Sequence, residues 1–200
     1  MATPLGHGLI GLALGRTLRP TGSLRDSRRW YAFAALAAMA ADLDFLPGLL
    51  IGDINRFHQF ASHSFAAAIA CGVVVGLLAP RGLKERIRLA VTGTVLYASH
   101  LVLDFFNRDI RAPFGQPLFW PISDHHYHAG ITIFRGVQHG GPGQTLVVVV
   151  QELFSWHNVW TMCVEILVLS PLLIVTWHWS TRRRPRAGSA NSTHGQETQP

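Results

Sequence analysis

Residues Asn158–Trp179 read NVWTMCVEILVLSPLLIVTWHW, and Arg182, Arg183 and Arg184 follow almost at once. A helix that crosses a bilayer needs about 20 mainly apolar residues. This stretch has the length and carries one acidic residue, Glu165. Trp156 and Trp160 flank one end and Trp177 and Trp179 the other, the placement of interfacial aromatic belts. Working outward, Trp30–Leu50 and Leu89–Phe106 are also long enough, whereas Thr3–Leu18 and Ser64–Ala79 are short and must tilt or pack inside a bundle. The pattern predicts an all-α fold, a polytopic membrane helix bundle of about five spans. The 200-residue composition agrees, with 48% hydrophobic and only 14% charged residues, against about 25% charged for a soluble domain. That apolar content excludes a disordered chain, and two cysteines exclude a disulfide-stapled scaffold. Cys71 and Cys163 lie inside apolar runs without metal-binding spacing, so they read as small hydrophobes.

The net charge of +6 and sequence pI near 10.3 suggest nucleic acid or a membrane. The positions of the charges favour the membrane. Arg16, Arg19, Arg25, Arg28 and Arg29 separate the first two runs. Arg81, Lys84, Arg86 and Arg88 separate the third and fourth, and Arg182, Arg183, Arg184 and Arg186 follow the fifth. If the runs are spans, all three clusters fall on one side, which the positive-inside rule makes cytoplasmic. The expected topology has the N-terminus outside and the C-terminus in the cytoplasm. The first run lacks a preceding basic segment and reads as a retained helix rather than a signal peptide. Residues 1–180 form the expected membrane-embedded domain, with an outer loop or lid over 107–157. Residues 181–200 form a basic, then polar, disordered cytoplasmic tail. Nucleic acid is not an expected partner, because the basic clusters cap apolar runs instead of lining one folded face.

The same topology collects metal-ligand residue types on the other side. His7, Asp42, Asp44, His58, His63, His100 and Asp104 all fall at outer span ends or in outer segments, with Asp124, His125, His126, His128 and His139 in the outer loop. His100 and Asp104 are four apart and share a helix face, as a metal-binding pair or as a simple hydrogen-bonded pair. His58 and His63 would diverge on one continuous helix. If Ser62 caps the third span, His58 sits in the preceding loop and both rings can turn to one point. Asp42 and Asp44 would point apart on a regular helix, unless the helix loosens before Pro47 and turns both inward; the alternative is pairing with Arg56 or Arg108. Carboxylates at membrane depth mark function. Imidazole and carboxylate without thiolate suit a divalent metal, Zn first, with Mn, Fe or Ni as contenders.

The carriers Thr3-Pro4-Leu5-Gly6-His7, Ala41-Asp42-Leu43-Asp44-Phe45-Leu46-Pro47, His58 to Ser64, His100 to Asp104 and Gln116 to Asp124 occur in this order. Together they resemble the YdjM-like family of bacterial inner-membrane proteins, classed as metal-dependent hydrolases, and more distantly zinc-dependent phospholipase C. One departure is local: the family's common His-Arg-Gly-x-Thr-His-Ser reads here with Gln59-Phe60-Ala61-Ser62 between the histidines. The resemblance implies an inner-membrane, multi-pass, metal-dependent hydrolase of phosphoesterase type.

On that reading His7, Asp42, His58, His63, His100 and Asp104 are metal ligands for one to three ions. Asp44 is the catalytic candidate, as a water-orienting base or a further ligand, and its role is exchangeable with that of Asp42. Trp120, Asp124 and His125 in the rim over Pro113–His128 are expected to support ligands or meet substrate. Glu165 is expected to face the bundle and hydrogen-bond a ligand histidine. Phe119-Trp120-Pro121 reads equally as an interfacial anchor, and Thr145–Phe154 as an interfacial helix or strand. A site at the outer end of the spans makes the lipid bilayer a partner and a phospholipid or lipid-linked compound the substrate class. Two other readings are a structural or regulatory membrane protein with a structural metal, and an ion or small-molecule transporter. A transporter expects acidic residues along a path through the membrane, and only Glu165 lies away from the outer cluster.

Overall fold

The structure is a computed structural model that describes residues 1–19, 27–79, 82–108, 113–141 and 143–182. Arg25, Arg81, Pro142, the basic residues Arg183, Arg184 and Arg186 and the polar tail lie outside the described residues. The chain runs through α1 (Pro4–Thr17), α2 (Ser27–Met39), a 3₁₀ segment (Ala40–Asp44), α3 (Phe45–Leu50), a short 3₁₀ turn (Ala61–His63), α4 (Phe65–Leu78), α5 (Leu83–Phe105), α6 (Leu146–Leu153) and α7 (Trp156–Arg182). Among the described residues there is no strand. Isolated bridges Asn107–Phe134 and Gln116–Tyr127 pin the long connection between α5 and α6.

Each element follows from local chemistry. Thr3 caps α1, its side chain accepting from the Gly6 amide at 3.1 Å, and Pro4 fills the first turn, where a missing N–H costs nothing. The second apolar run changes character where Pro47 approaches. Pro47 cannot donate to the Leu43 carbonyl and its ring crowds that group, and the chain tightens into the 3₁₀ segment before α3 resumes. The cap of α4 is Ser64, whose hydroxyl accepts from the Ala67 amide at 3.1 Å. The expectation that Ser62 caps this helix is corrected, because the Ser62 hydroxyl is engaged elsewhere. Thr145–Phe154 resolves as a helix, α6.

Helices pack through small residues. A Cβ on Gly11 would stand 2.6 Å from the Ala34 carbonyl oxygen of α2, and one on Gly72 would collide with the Ala90 carbonyl and the Thr94 hydroxyl of α5. The interior mixes Ala, Gly and polar side chains with a few large apolar ones such as Trp30, Leu96 and Leu101, while many large apolar residues face outward, including Leu77 and Leu78 of α4 and Leu167, Ile174 and Val175 of α7. Two segments are long and apolar enough to cross a membrane, Arg28–Leu50 and Trp156–Trp179. Only 28% and 22% of their apolar windows are buried within the molecule, unlike the core helix of a water-soluble domain. Leu83–Phe105 has the length but not the hydropathy, because Arg88, His100 and Asp104 dilute it, and Phe65–Leu78 is apolar but short.

The bundle has two chemically distinct ends. At one, Arg16 lies 4.4 Å over the Trp177 ring and donates to the Tyr31 hydroxyl at 2.8 Å, while Arg88 donates to the Arg19 carbonyl at 3.3 Å and Arg86 to that of Ala79 at 3.2 Å. At the other end the histidines and aspartates converge.

Candidate metal centre

Five segments deliver the cluster. His7 comes from the first turns of α1, Asp42 and Asp44 from the 3₁₀ segment, His58 from the loop after α3, His63 from the 3₁₀ turn before α4, and His100 and Asp104 from the end of α5. His7, His63 and His100 are all 0% exposed. The 3₁₀ segment answers the question left open by the spacing of Asp42 and Asp44, since both turn toward histidines. Neither pairs with Arg56 or Arg108.

Two histidine nitrogens sit close together, with a carboxylate oxygen of Asp104 and one of Asp42 each against both. The Nε2 atoms of His63 and His100 are 3.2 Å apart. Asp104 Oδ2 lies 3.6 Å from the first and 3.4 Å from the second, and Asp42 Oδ1 lies 3.8 Å and 3.5 Å from them. Metal–ligand bonds of 2.0–2.1 Å in tetrahedral geometry give a ligand–ligand edge of about 3.3 Å. The observed edges bracket that value. Protonation deepens the point. His100 Nδ1 is 3.0 Å from the Ala38 carbonyl, which can only accept, so Nδ1 carries the proton. In the neutral ring, Nε2 then presents a lone pair toward the His63 nitrogen, and a cation between them relieves the repulsion.

The surrounding donors extend the cluster. His7 Nε2 is 3.4 Å from Asp104 Oδ1, and the His7 ring stacks on His100 at 3.6 Å and 9°. The groups His7–Asp42–His100, Asp42–His58–His63 and His63–His100–Asp104 each bring their ligand atoms within 4.8 Å of one another. Both nitrogens of His7, both oxygens of Asp42, Asp104 Oδ2 and His58 Nε2 are buried without a hydrogen-bond partner. Orphaned buried atoms of this kind are costly, and divalent ions in the ligand groups would satisfy several of them. The residues fit the group. Burial pushes the His58 imidazole down to about 4, opposed by its bond to Asp44, so the ring is neutral at pH 7, the ligating form.

Asp44 stands apart. Its Oδ1 is 2.9 Å from His58 Nδ1, and its Oδ2 accepts from the Ser62 hydroxyl at 2.6 Å and from the Gln59 amide at 3.2 Å. Glu165, 0% exposed, faces the bundle as expected but bonds Thr3 rather than a histidine: the Thr3 amide donates at 2.7 Å and its hydroxyl donates to the other oxygen. The physical reason is register, since α7 sets Glu165 against the cap of α1, where unpaired donors wait. Trp120 is half-buried and tilts against Phe60 at 6.2 Å. Asp124 and His125 are exposed, with His125 edge-on to Tyr127 at 4.7 Å. They reach no ligand, because the Gln116–Tyr127 bridge closes the intervening residues into a loop whose far part turns to the surface.

Several contributors escaped the sequence reading. Ser62 bonds both Asp44 and His63, and Tyr97 donates to the Ser62 carbonyl at 2.7 Å. Phe45 stacks on His58 at 4.0 Å, and His139, held by Asn55 at 2.8 Å, meets His58 edge-on at 5.2 Å. Only Ser62 carried a signal, its position beside His63.

The helical chain, its outward apolar surface and its buried His/Asp cluster define a helical membrane protein with a candidate metal site. The sequence matches the YdjM inner membrane protein family over residues 1–184, and the chain belongs to that family. No curated protein and no solved structure matches it.

Proposed function

We propose that this protein is an integral-membrane, metal-dependent hydrolase of phosphoesterase type that acts on a phospholipid or other membrane-proximal phosphoester. The observation that carries the reading is the buried cluster of four histidines and three aspartates, with orphaned ligand atoms, at the end of the bundle opposite the arginines. The positive-inside rule then gives a multi-pass topology of about five spans, with the cluster and the N-terminus outside and the C-terminus cytoplasmic. Short α1 and α4 span by packing inside the bundle.

His63, His100 and Asp104 would hold one ion, and Asp42 with His7 or His58 brings further donors. Zinc suits this donor set best, over one to three ions. A divalent ion bound here supplies Lewis acidity, polarising a phosphoryl oxygen and lowering the pKa of a bound water from 15.7 toward about 7. The chain does the rest. Burial under α1 and α5 keeps bulk water from the donors, Phe45 shields the outer face of His58, and the loop carrying Phe119 and Trp120 lies where a lipid headgroup would approach. Asp42, with both oxygens unpartnered and facing the cluster, is placed to orient a nucleophilic water.

One observation favours a second reading. His63, His100, Asp42 and Asp104 crowd together, all four of them protein donors, and a site closed by protein ligands alone is structural. The enzymatic reading therefore rests on the surplus donors His7 and His58, which can build a position with room for water.

The test is elemental analysis of the detergent-purified chain with His100→Ala and Asp104→Ala, joined to phosphoester hydrolysis in lipid vesicles. Bound zinc that falls in both variants, with hydrolysis that falls in parallel, is expected. Unchanged metal in the variants overturns the site. Full metal without hydrolysis of any phospholipid or phosphomonoester offered favours the structural reading. Reporter fusions at Arg29 and Arg182 should report cytoplasm; a periplasmic signal reverses the orientation.

A further inference from the structure

We propose that Asp44 and Ser62 are positioning residues, a relay that fixes the ring tautomers of His58 and His63, and that Asp42 alone of the aspartate pair faces the ion. The inference deepens the metal-site reading, but its tautomer half stands on hydrogen bonds that need no ion.

The donors and acceptors leave one solution. The Ser62 hydroxyl has a single proton, and it goes to Asp44 Oδ2 at 2.6 Å. The same hydroxyl is 2.9 Å from His63 Nδ1. Having spent its proton, Ser62 can only accept, so His63 Nδ1 carries the hydrogen. Asp44 Oδ1, a carboxylate oxygen, likewise requires a proton on His58 Nδ1 at 2.9 Å. One carboxylate thus sets two imidazoles, His58 directly and His63 both through the Ser62 hydroxyl and by its own Oδ2, 3.3 Å from His63 Nδ1. With Nδ1 carrying the hydrogen, Nε2 is the end of each ring left to ligate: His63 Nε2 faces Asp42, His100 and Asp104, and His58 Nε2 is buried without a partner. Outer carboxylates commonly orient metal-binding histidines in this way.

The relay is itself braced. Gln59 holds φ at 59°, in the left-handed region that a residue with a Cβ seldom adopts. That strained turn aims the Gln59 amide at Asp44 Oδ2, 3.2 Å away. Tyr97 of α5 donates to the Ser62 carbonyl at 2.7 Å, tying the turn to the helix that carries His100. The contrast with Asp42 decides the division of labour. Every Asp44 oxygen has partners, and neither Asp42 oxygen has a hydrogen bond.

The experiment uses the full chain in detergent micelles, metal-stripped, with the histidine rings labelled in nitrogen-15. Long-range correlation spectra report which nitrogen bears the proton. His58 and His63 are expected as the Nδ1–H tautomer in the wild type. Ser62→Ala should weaken the His63 preference alone, since Asp44 Oδ2 remains 3.3 Å from His63 Nδ1, Ser62→Thr should restore it, and Asp44→Asn should perturb both rings. Zinc titration supplies the second readout. Ser62→Ala and Asp44→Asn should weaken binding by about 10–100-fold with stoichiometry unchanged, whereas Asp42→Asn should lower the stoichiometry. An Nε2–H tautomer at either ring in the wild type overturns the relay, as does a His63 tautomer population indifferent to both Ser62→Ala and Asp44→Asn. Loss of an ion in Asp44→Asn overturns the division between the aspartates. If zinc does not bind the wild type, the metal reading and the division of roles fall together, and the spectra still decide the relay.

Discussion

Glu165 and Gly6 make a sharp test of how the bundle holds its site. Glu165 takes both donors of Thr3, and both residues are buried. Glu165→Ala leaves two buried donors unsatisfied, at about 1–3 kcal/mol each, or roughly 2–6 kcal/mol together. For a chain of this size about 2–4 °C of Tm accompanies each kcal/mol, so scanning fluorimetry in detergent should show a fall of roughly 5–20 °C. Gly6 supplies the second perturbation. A Cβ there would stand 2.6 Å from Glu165 Oε2 and 2.8 Å from Cδ, so Gly6→Ala must push the carboxylate off Thr3. The two substitutions remove the same interaction. In the Glu165→Ala background Gly6→Ala should therefore cost almost nothing, and can gain up to about 1 kcal/mol of helix propensity. Equal penalties for Gly6→Ala in both backgrounds, additive within about 0.5 kcal/mol, would refute the reasoning. A Tm for Glu165→Ala within 1 °C or so of wild type would refute it more simply.

Other expectations follow from single contacts. Ser64→Ala removes the α4 cap, worth about 1 kcal/mol, and should lower Tm by about 2–4 °C. Gly72→Ala drives a Cβ into the Ala90 carbonyl and Thr94 of α5; overpacking of about 1–3 kcal/mol should appear as a Tm loss that Gly82→Ala, with open space around it, does not share. His58 gives a pH signature in metal-free protein. Its folded value near 4 lies below the ordinary 6.5, so between these values the unfolded chain binds the proton and the folded chain does not. Stability relative to His58→Phe should fall as pH drops from about 6.5 to about 4, by up to about 1.4 kcal/mol per pH unit, and level off below. Thermal scans that show no such divergence would count against a buried neutral imidazole.

Much of this architecture can be read from one dimension. The spans expected at Thr3–Leu18, Trp30–Leu50, Ser64–Ala79, Leu89–Phe106 and Asn158–Trp179 correspond to helical segments of the fold, because apolar run length is a local property. The opposition of arginines to histidines also survives folding, since antiparallel helices with short connections preserve the alternation of ends. What needed coordinates were choices between neighbours. Ser62 and Ser64 look equivalent as caps, and only the backbone at Ser64 decides. Asp42 and Asp44 are chemically identical, and the 3₁₀ segment before Pro47 gives one an open face and the other a full set of partners. Thr3 and Glu165 are 162 residues apart, and no spacing rule connects them.

That last separation bears on how the protein is made. Ribosomes deliver the chain from the N-terminus, so His7 and the loop with His58 and His63 emerge long before Glu165. Until α7 is in place, the start of α1 has the Asp104 carboxylate, which accepts from the Ala2 amide at 2.6 Å, but lacks the Glu165 carboxylate that takes both Thr3 donors. On the proposed metal reading, the ligand set reaches its final register only when α7 arrives, and metal loading would be a late event of biogenesis. Truncation before residue 165 would leave every ligand in the chain and still yield a poor metal binder.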